Sequence, residues 1–125
     1  MGVGIDQIEV ARIRDSLEKH GAHFLDKIFS LTEQTYCREK AEPAPHLAAR
    51  FAAKEAVSKA LGTGFGKEFG WLDSEVVNGD EGQPILRFSK KGRALLEKKG
   101  ATEALVSLTH LESIASSIVV LVSSS

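Results

Sequence analysis

Glu55 sets the first chemical question, because Phe51, Glu55 and Lys59 are spaced four apart and a helix would line them along one stripe. Glu55 lies beside Phe51, Ala52 and Ala56, at the edge of a small-residue apolar face. A lone carboxylate there is costly unless it is paired. One reading pairs it with Lys59 as an i,i+4 salt bridge, worth only ~0.3–0.5 kcal/mol when exposed. Another sets it beside Asp6. Two carboxylates make an oxygen site for a hard cation, and Mg²⁺ usually takes one or two of them, with phosphate oxygens and water completing its shell. Asp6 also has a plainer reading as a helix N-cap. His110 ends the run Ser107-Leu108-Thr109-His110 and is either a hydrogen-bonded strand-end histidine or a catalytic group. His20, His23 and His46 show no pairing in the sequence.

The run Gly62-Thr63-Gly64-Phe65-Gly66-Lys67-Glu68-Phe69-Gly70 follows that stripe directly. It is not a dinucleotide fingerprint, since it follows a helix C-terminus rather than opening a helix after a strand. It is not a Walker loop either, lacking Gly-x-x-x-x-Gly-Lys-Ser/Thr. A helix C-terminus carries partial negative charge, so an anion here would need Lys59, Lys67 or a metal. The alternative is a helix stop followed by a flexible turn.

The elements that must position these residues can be read from pattern. Gly2 to Ile5 reads as a short apolar strand. Asp6 and Glu9 suggest a capping box for a helix from about Gln7 to Lys19, ended by Gly21. Phe24, Leu25, Ile28 and Phe29 suggest a second short helix. Ser30 and Glu33 would cap a third, which ends before Pro43. The strongest helix runs from Pro45 to about Leu61 and stops at Gly62. Trp71 to Asn78 and Pro84 to Phe88 read as a hairpin turning at 78–82. Ser89 to Lys99 reads as a helix ended by Gly100. Leu105 to Thr109 and Ile114 to Val122 read as the last two strands. Long strands and helices do not alternate regularly, which favours an α+β fold over a doubly wound sheet.

Composition narrows the function. A chain of 125 residues fits one domain spanning residues 1–125. Sixteen Lys and Arg against 17 Asp and Glu give a net charge of −1, which argues against binding nucleic acid through bulk positive charge. Cys37 is the single cysteine, so neither an intrachain disulfide nor a cysteine-rich zinc site is available. No apolar run approaches the ~20 residues that span a bilayer. The start has no signal-peptide core, and Asp6 stands where a myristoylation signal needs Ser or Thr. A cytoplasmic, membrane-free protein is the expectation.

Gly2-Val3-Gly4-Ile5-Asp6 before Arg12-Ile13, Arg50-Phe51-Ala52-Ala53-Lys54-Glu55-Ala56 running into Lys59-Ala60-Leu61-Gly62-Thr63-Gly64, and Ser107-Leu108-Thr109-His110 together resemble the holo-acyl-carrier-protein synthases, the small bacterial class of 4′-phosphopantetheinyl transferases. Trp71-Leu72-Asp73-x-Glu75-Val76 and Gly82-Gln83-Pro84 fall where that family has its hairpin. Gln7 and Leu111 depart from it, standing where an aliphatic and a polar residue are usual.

The resemblance implies that family's fold, a small antiparallel sheet packed with helices including one long central helix. It implies transfer of 4′-phosphopantetheine from coenzyme A to a serine of apo-acyl carrier protein, releasing 3′,5′-ADP, in the service of fatty acid biosynthesis. Asp6 and Glu55 would hold Mg²⁺ with the coenzyme A pyrophosphate, and Lys59 would add charge to the same phosphates. Arg50 and His110 would lie near the nucleotide 3′-phosphate, and Gly62, Thr63 and Gly64 near the adenine or pyrophosphate. Glu55, directly or through a metal-bound water, is the candidate base. The family is trimeric with sites between protomers. Asp6, Glu55 and Lys59 would then come from one chain, with Pro84 and His110 on or near the facing one. The nearly uncharged stretch from Ala101 to Ser125 fits burial in such an interface. Arg12 and Arg14 match the family's docking region for the acidic carrier, unless they are solvated arginines balanced by Asp15 and Glu18. A non-catalytic coenzyme A or nucleotide binding module is the alternative, which an intact Asp6 and Glu55 count against. A third reading is an oligomerising α+β domain whose glycine loop is only a turn.

Overall fold

Two glycines decide how the first strand meets the long helix. In the computed structural model, which describes residues 2–123, a Cβ on Gly4 would collide with the Ala56 carbonyl and one on Gly2 with that of Ala60. Their absence lets strand β1 (Gly2–Glu9) lie directly on the alanine stripe of helix α4 (Pro43–Leu61). Ala48, Ala52 and Ala56 are each fully buried, and they repeat every four residues along that stripe. Met1, Ser124 and Ser125, the ends of the single domain expected from the sequence, lie outside the described residues.

The strand is longer than its sequence suggests. β1 pairs antiparallel with β5 (Ile114–Val122) along its whole length, from Gly2 opposite Leu121 to Glu9 opposite Ile114. Helix α1 (Val10–His20) therefore begins only at Val10, capped by the extended Glu9 with no side-chain hydrogen bond. Asp6 is a strand residue opposite Ser117 and caps nothing. The local capping signal loses here to eight residues of strand pairing. Strand β4 (Glu103–His110) flanks β5 on its other side, giving a three-stranded sheet in the order β1-β5-β4.

Beside it stands the hairpin of β2 (Ser74–Asn78) and β3 (Pro84–Phe88). Its turn closes with Gly79 N–H donating to the Gln83 carbonyl at 2.8 Å. Trp71–Asp73 forms a 3₁₀ turn rather than the start of that strand. The cause is Asp73, whose carboxylate accepts from Gly70 N–H at 2.7 Å and from the Ser89 hydroxyl at 2.7 Å. Ser89 in turn caps α5 (Lys90–Lys98) by accepting from Gly92 N–H. Between α1 and α4 run α2 (Ala22–Ile28) and α3 (Leu31–Arg38), and Ser30 with Glu33 forms the expected capping box.

Glu33 has a second task that the sequence does not announce. Its side chain and that of Lys54 are both fully buried and lie 2.9 Å apart. Lys54 also donates to the carbonyls of Trp71 and Ser74, while Glu33 also accepts from Val76 N–H at 2.9 Å. Burial pushes the Lys54 pKa down, and Glu33 pulls it partly back. Removing one partner strands a buried charge. Lys54→Met is therefore expected to lower unfolding stability by about 3–5 kcal/mol. Urea unfolding measures this, and an unchanged midpoint would show that the pair carries no structural weight.

Candidate active site

The strand–helix contact brings Asp6 to the stripe that holds Phe51, Glu55 and Lys59. Asp6, Arg12, Phe51, Glu55 and Lys59 line one open cleft of about 320 Å³ between β1, α1 and α4. Lys59 does not pair with Glu55. Its ammonium lies 2.8 Å from Asp6 Oδ1 and donates to the Ile5 carbonyl at 3.1 Å. The long-range partner wins because Asp6 offers a carboxylate with a neighbouring carbonyl, and so satisfies two of the three ammonium donors. Hydrogen bonding to Asp6 holds the Lys59 pKa above its usual value; burial opposes this, and the Asp6 and Glu55 charges add to it.

Glu55 is left half-buried without a hydrogen-bond donor among the described residues. Burial and then the Asp6 charge raise its pKa, and Lys59 only partly offsets them. Two carboxylates therefore share a cleft with Lys59 and, at its mouth, Arg12. The hard oxygen atoms of the carboxylates suit a divalent cation such as Mg²⁺. No set of three His, Cys, Asp or Glu side chains converges among the described residues, so water and phosphate oxygens would have to supply the remaining ligands.

Arg50 and His110 form a different group. Arg50 is buried, one helical turn before Lys54, and donates to the His46 carbonyl and to Asn78 Oδ1, each at 3.3 Å. Its guanidinium lies over the Tyr36 ring at 4.3 Å, as does the Lys40 ammonium at 4.4 Å. His46 meets Tyr36 edge-on at 6.4 Å and His110 edge-on at 4.8 Å between ring centroids. The sequence shows no partner for His46 because His110 approaches it from the far edge of the sheet, on β4. Among the described residues, no hydrogen bond, ion pair or ring contact joins this group to the Asp6 cleft.

The glycine loop leaves α4 through Gly62, at φ 78°, whose N–H bonds the Ser58 carbonyl at 3.0 Å. Gly64 also takes a positive φ, of 64°, and Thr63 Oγ1 donates to its carbonyl at 2.9 Å. The loop is pinned by an aromatic ladder the sequence does not reveal. Phe65 stacks on Trp71 at 3.8 Å, and Trp71 lies 5.0 Å from Phe51 in the cleft. Pro84 begins β3 and lines a groove toward β4, away from the residues of the cleft. Arg12 is exposed at the cleft mouth. Arg14 forms an ion pair with Glu42 at 3.0 Å rather than with Asp15 or Glu18.

The profile of the 4′-phosphopantetheinyl transferase superfamily matches residues 2–112. A holo-[acyl-carrier-protein] synthase of Protochlamydia amoebophila is 44% identical over 110 residues, 88% of each chain. Among solved structures, the Helicobacter pylori holo-[acyl-carrier-protein] synthase in complex with coenzyme A superposes with a TM-score of 0.85 at 30% identity, covering 95% of this chain and 98% of that one. A Bacillus anthracis holo-(acyl-carrier-protein) synthase in complex with CoA (3′,5′-ADP) gives 0.80 at 39% identity, covering 98% and 96%.

The raised Glu55 pKa has a thermodynamic consequence. The folded state holds that proton more tightly than the unfolded chain. Its cost therefore grows as pH rises from the ordinary glutamate range through the raised value, and is complete above it. Glu55→Gln in chelator at neutral pH is expected to melt roughly 2–4 °C above the wild type and to lose that pH dependence. Added Mg²⁺ should raise the melting temperature of the wild type and leave that of the variant unchanged. A variant that melts lower in both buffers would show Glu55 to be a structural residue instead.

Proposed function

The chain belongs to the 4′-phosphopantetheinyl transferase superfamily, and on that footing we propose how its side chains divide the reaction. It is a holo-acyl-carrier-protein synthase type of transferase, moving 4′-phosphopantetheine from coenzyme A to a serine of apo-acyl carrier protein and releasing 3′,5′-ADP. A serine Oγ–P bond forms to the pantetheine-side phosphorus, and the bond from that phosphorus to the nucleotide's bridging oxygen breaks. The observation that carries our assignment of roles is the convergence of Asp6, Glu55 and Lys59 on one cleft.

Asp6 and Glu55 are the residues that hold Mg²⁺. When bound, the ion neutralises charge gathering on the pyrophosphate as the bond breaks. Lys59, already turned toward this spot, adds a fixed positive charge for the departing phosphate. Glu55 takes the serine proton. Gly62, Thr63 and Gly64 bring exposed backbone up to the nucleotide, and Arg50 and His110 receive its remaining phosphate. Arg12 at the cleft mouth and Arg14 behind it steer the acidic carrier, a task that suits rim charges.

The active unit is a homotrimer, and residues 1–125 form one domain of it. What supports this reading is an apolar sheet face turned away from α4. Val3, Val120 and Leu105 lie opposite one another across the three strands, with Ile5 beside Ile118 one pair further on. All five are exposed, Val3 and Ile5 by more than 60%. A patch of this kind on a folded chain marks an interaction surface. The separation of the two side-chain groups fits as well, since each chain would lend Asp6, Glu55 and Lys59 to one cleft and Pro84 and His110 to another. No helix among the described residues is long and apolar enough to cross a membrane. The buried thiol of Cys37, pushed up to about 11 by desolvation, suits a reducing cytoplasm.

Incubation with coenzyme A, Mg²⁺ and an apo-acyl carrier protein should add the phosphopantetheine mass to the carrier. Asp6→Ala and Glu55→Ala should each reduce the rate by at least ~10²-fold while remaining folded. Full activity in both variants would overturn the metal assignment. Light scattering should give three times the 13.5 kDa chain, and Ile5→Glu should yield inactive smaller species. An active monomer would remove the shared-site reading.

A further inference from the structure

The anions of coenzyme A are a pyrophosphate and a ribose phosphate, and the two side-chain groups differ in what each can accept. The Asp6 cleft sets two carboxylates beside Lys59 and Arg12, so without a cation it offers a phosphate no net positive charge. The other group needs no cation. Arg50 and Lys40 lie over Tyr36, and His46 and His110 meet edge to face beside them. The charged and titratable groups facing His46 are Tyr36 from α3, Lys40 from the turn after it, Arg50 from its own helix and His110 from β4. The lysine, arginine and histidines among them carry or take on positive charge only.

His46 occupies the middle of that group. Its carbonyl holds Arg50, and its half-buried ring is what the exposed ring of His110 rests against. We propose that His46 is a positioning residue of the ribose-phosphate site, bracing His110 and sharing with it the proton taken up when a 3′-phosphate binds. The proposal rests on the reading of this chain as a transferase that uses coenzyme A. In the empty site burial, then His110, Arg50 and Lys40, all lower the His46 pKa and favour the neutral ring. A phosphate dianion attracts a proton onto the pair and converts a neutral contact into a charge-assisted hydrogen bond. Selection for the 3′-phosphate then weakens as pH rises.

The test uses 3′,5′-ADP and 5′-AMP, which differ only in the 3′-phosphate. Calorimetric titration in buffers of different ionisation enthalpy counts the protons taken up at several values between about pH 6 and 8. The wild type should take up protons with 3′,5′-ADP and few with 5′-AMP. His46→Phe keeps a ring against His110 but cannot titrate. It should take up fewer protons and lose about tenfold of the preference for 3′,5′-ADP. In the transfer assay its KM for coenzyme A should rise while that for 3′-dephospho-coenzyme A stays put. His46→Ala, which removes the brace as well, should lose more of the preference than His46→Phe. Equal proton uptake and equal preference in wild type and His46→Phe would overturn the proposal and leave the transferase reading standing. No binding of 3′,5′-ADP to the wild type, with no transfer from coenzyme A, would overturn both.

Discussion

The buried ion pair of Lys54 and Glu33 fixes the rotation of α4 about its own axis, and both functional groups depend on that rotation. A charged pair of this kind is not needed for stability as such, because well-packed apolar residues of similar size often do as well. Its contribution is direction. An ammonium with three donors must find three acceptors, and here they are Glu33, the Trp71 carbonyl and the Ser74 carbonyl. Glu33 answers with Ser30 N–H and Val76 N–H. The network ties α3, α4, the 3₁₀ turn and the hairpin together at one point, and a helix rotated by one residue would leave all of these groups unsatisfied.

With that rotation set, the sequence of α4 divides into four stripes, each repeating every four residues. His46, Arg50 and Lys54 meet α3, Arg50 and Lys54 also meet the hairpin, and Ser58 turns back to the Glu55 carbonyl. Ala48, Ala52, Ala56 and Ala60 face β1 and its two glycines. Ala49, Ala53, Val57 and Leu61 run through the core. The stripe of Phe51, Glu55 and Lys59 is left to meet Asp6 across the cleft. One helix thus carries a cationic face, a close-packing face, a core face and a carboxylate face. The small residues are what allow it, since β1 could not bring Asp6 to Glu55 and Lys59 over larger side chains.

Much of this was legible in the sequence where the signals are local. The Ser30–Glu33 capping box, the stop at Gly62, the hairpin and the stripe of Glu55 and Lys59 are all settled by residues within a turn or two of one another. The errors share a different cause. Asp6 looks like an N-cap and Lys59 like a partner for Glu55 only while the chain is read locally. Strand pairing with β5 takes Asp6 out of the helix and hands it to Lys59, 53 residues away. His46 and Glu33 were opaque for the same reason, as their partners lie on β4 and at the middle of a helix that is buried nearly all round. A helix of that kind shows no amphipathic period, so pattern alone cannot say which face its charges occupy.

The Asp6–Lys59 pair is a weak long-range contact, and that weakness suits its place at an open cleft. The Lys59 side chain is 52% exposed, and an exposed ion pair contributes at most ~1 kcal/mol. By contrast, the side chains of Lys54 and Glu33 have no solvent to turn to. The protein therefore keeps its buried ionic contact where the packing is fixed, and a loose one at the open cleft. On the proposed reading, a divalent ion would draw Asp6 from Lys59 at little cost and leave the ammonium free for a phosphate. The same lysine would then neutralise the empty site and assist the filled one, which a fixed, buried salt bridge could not do.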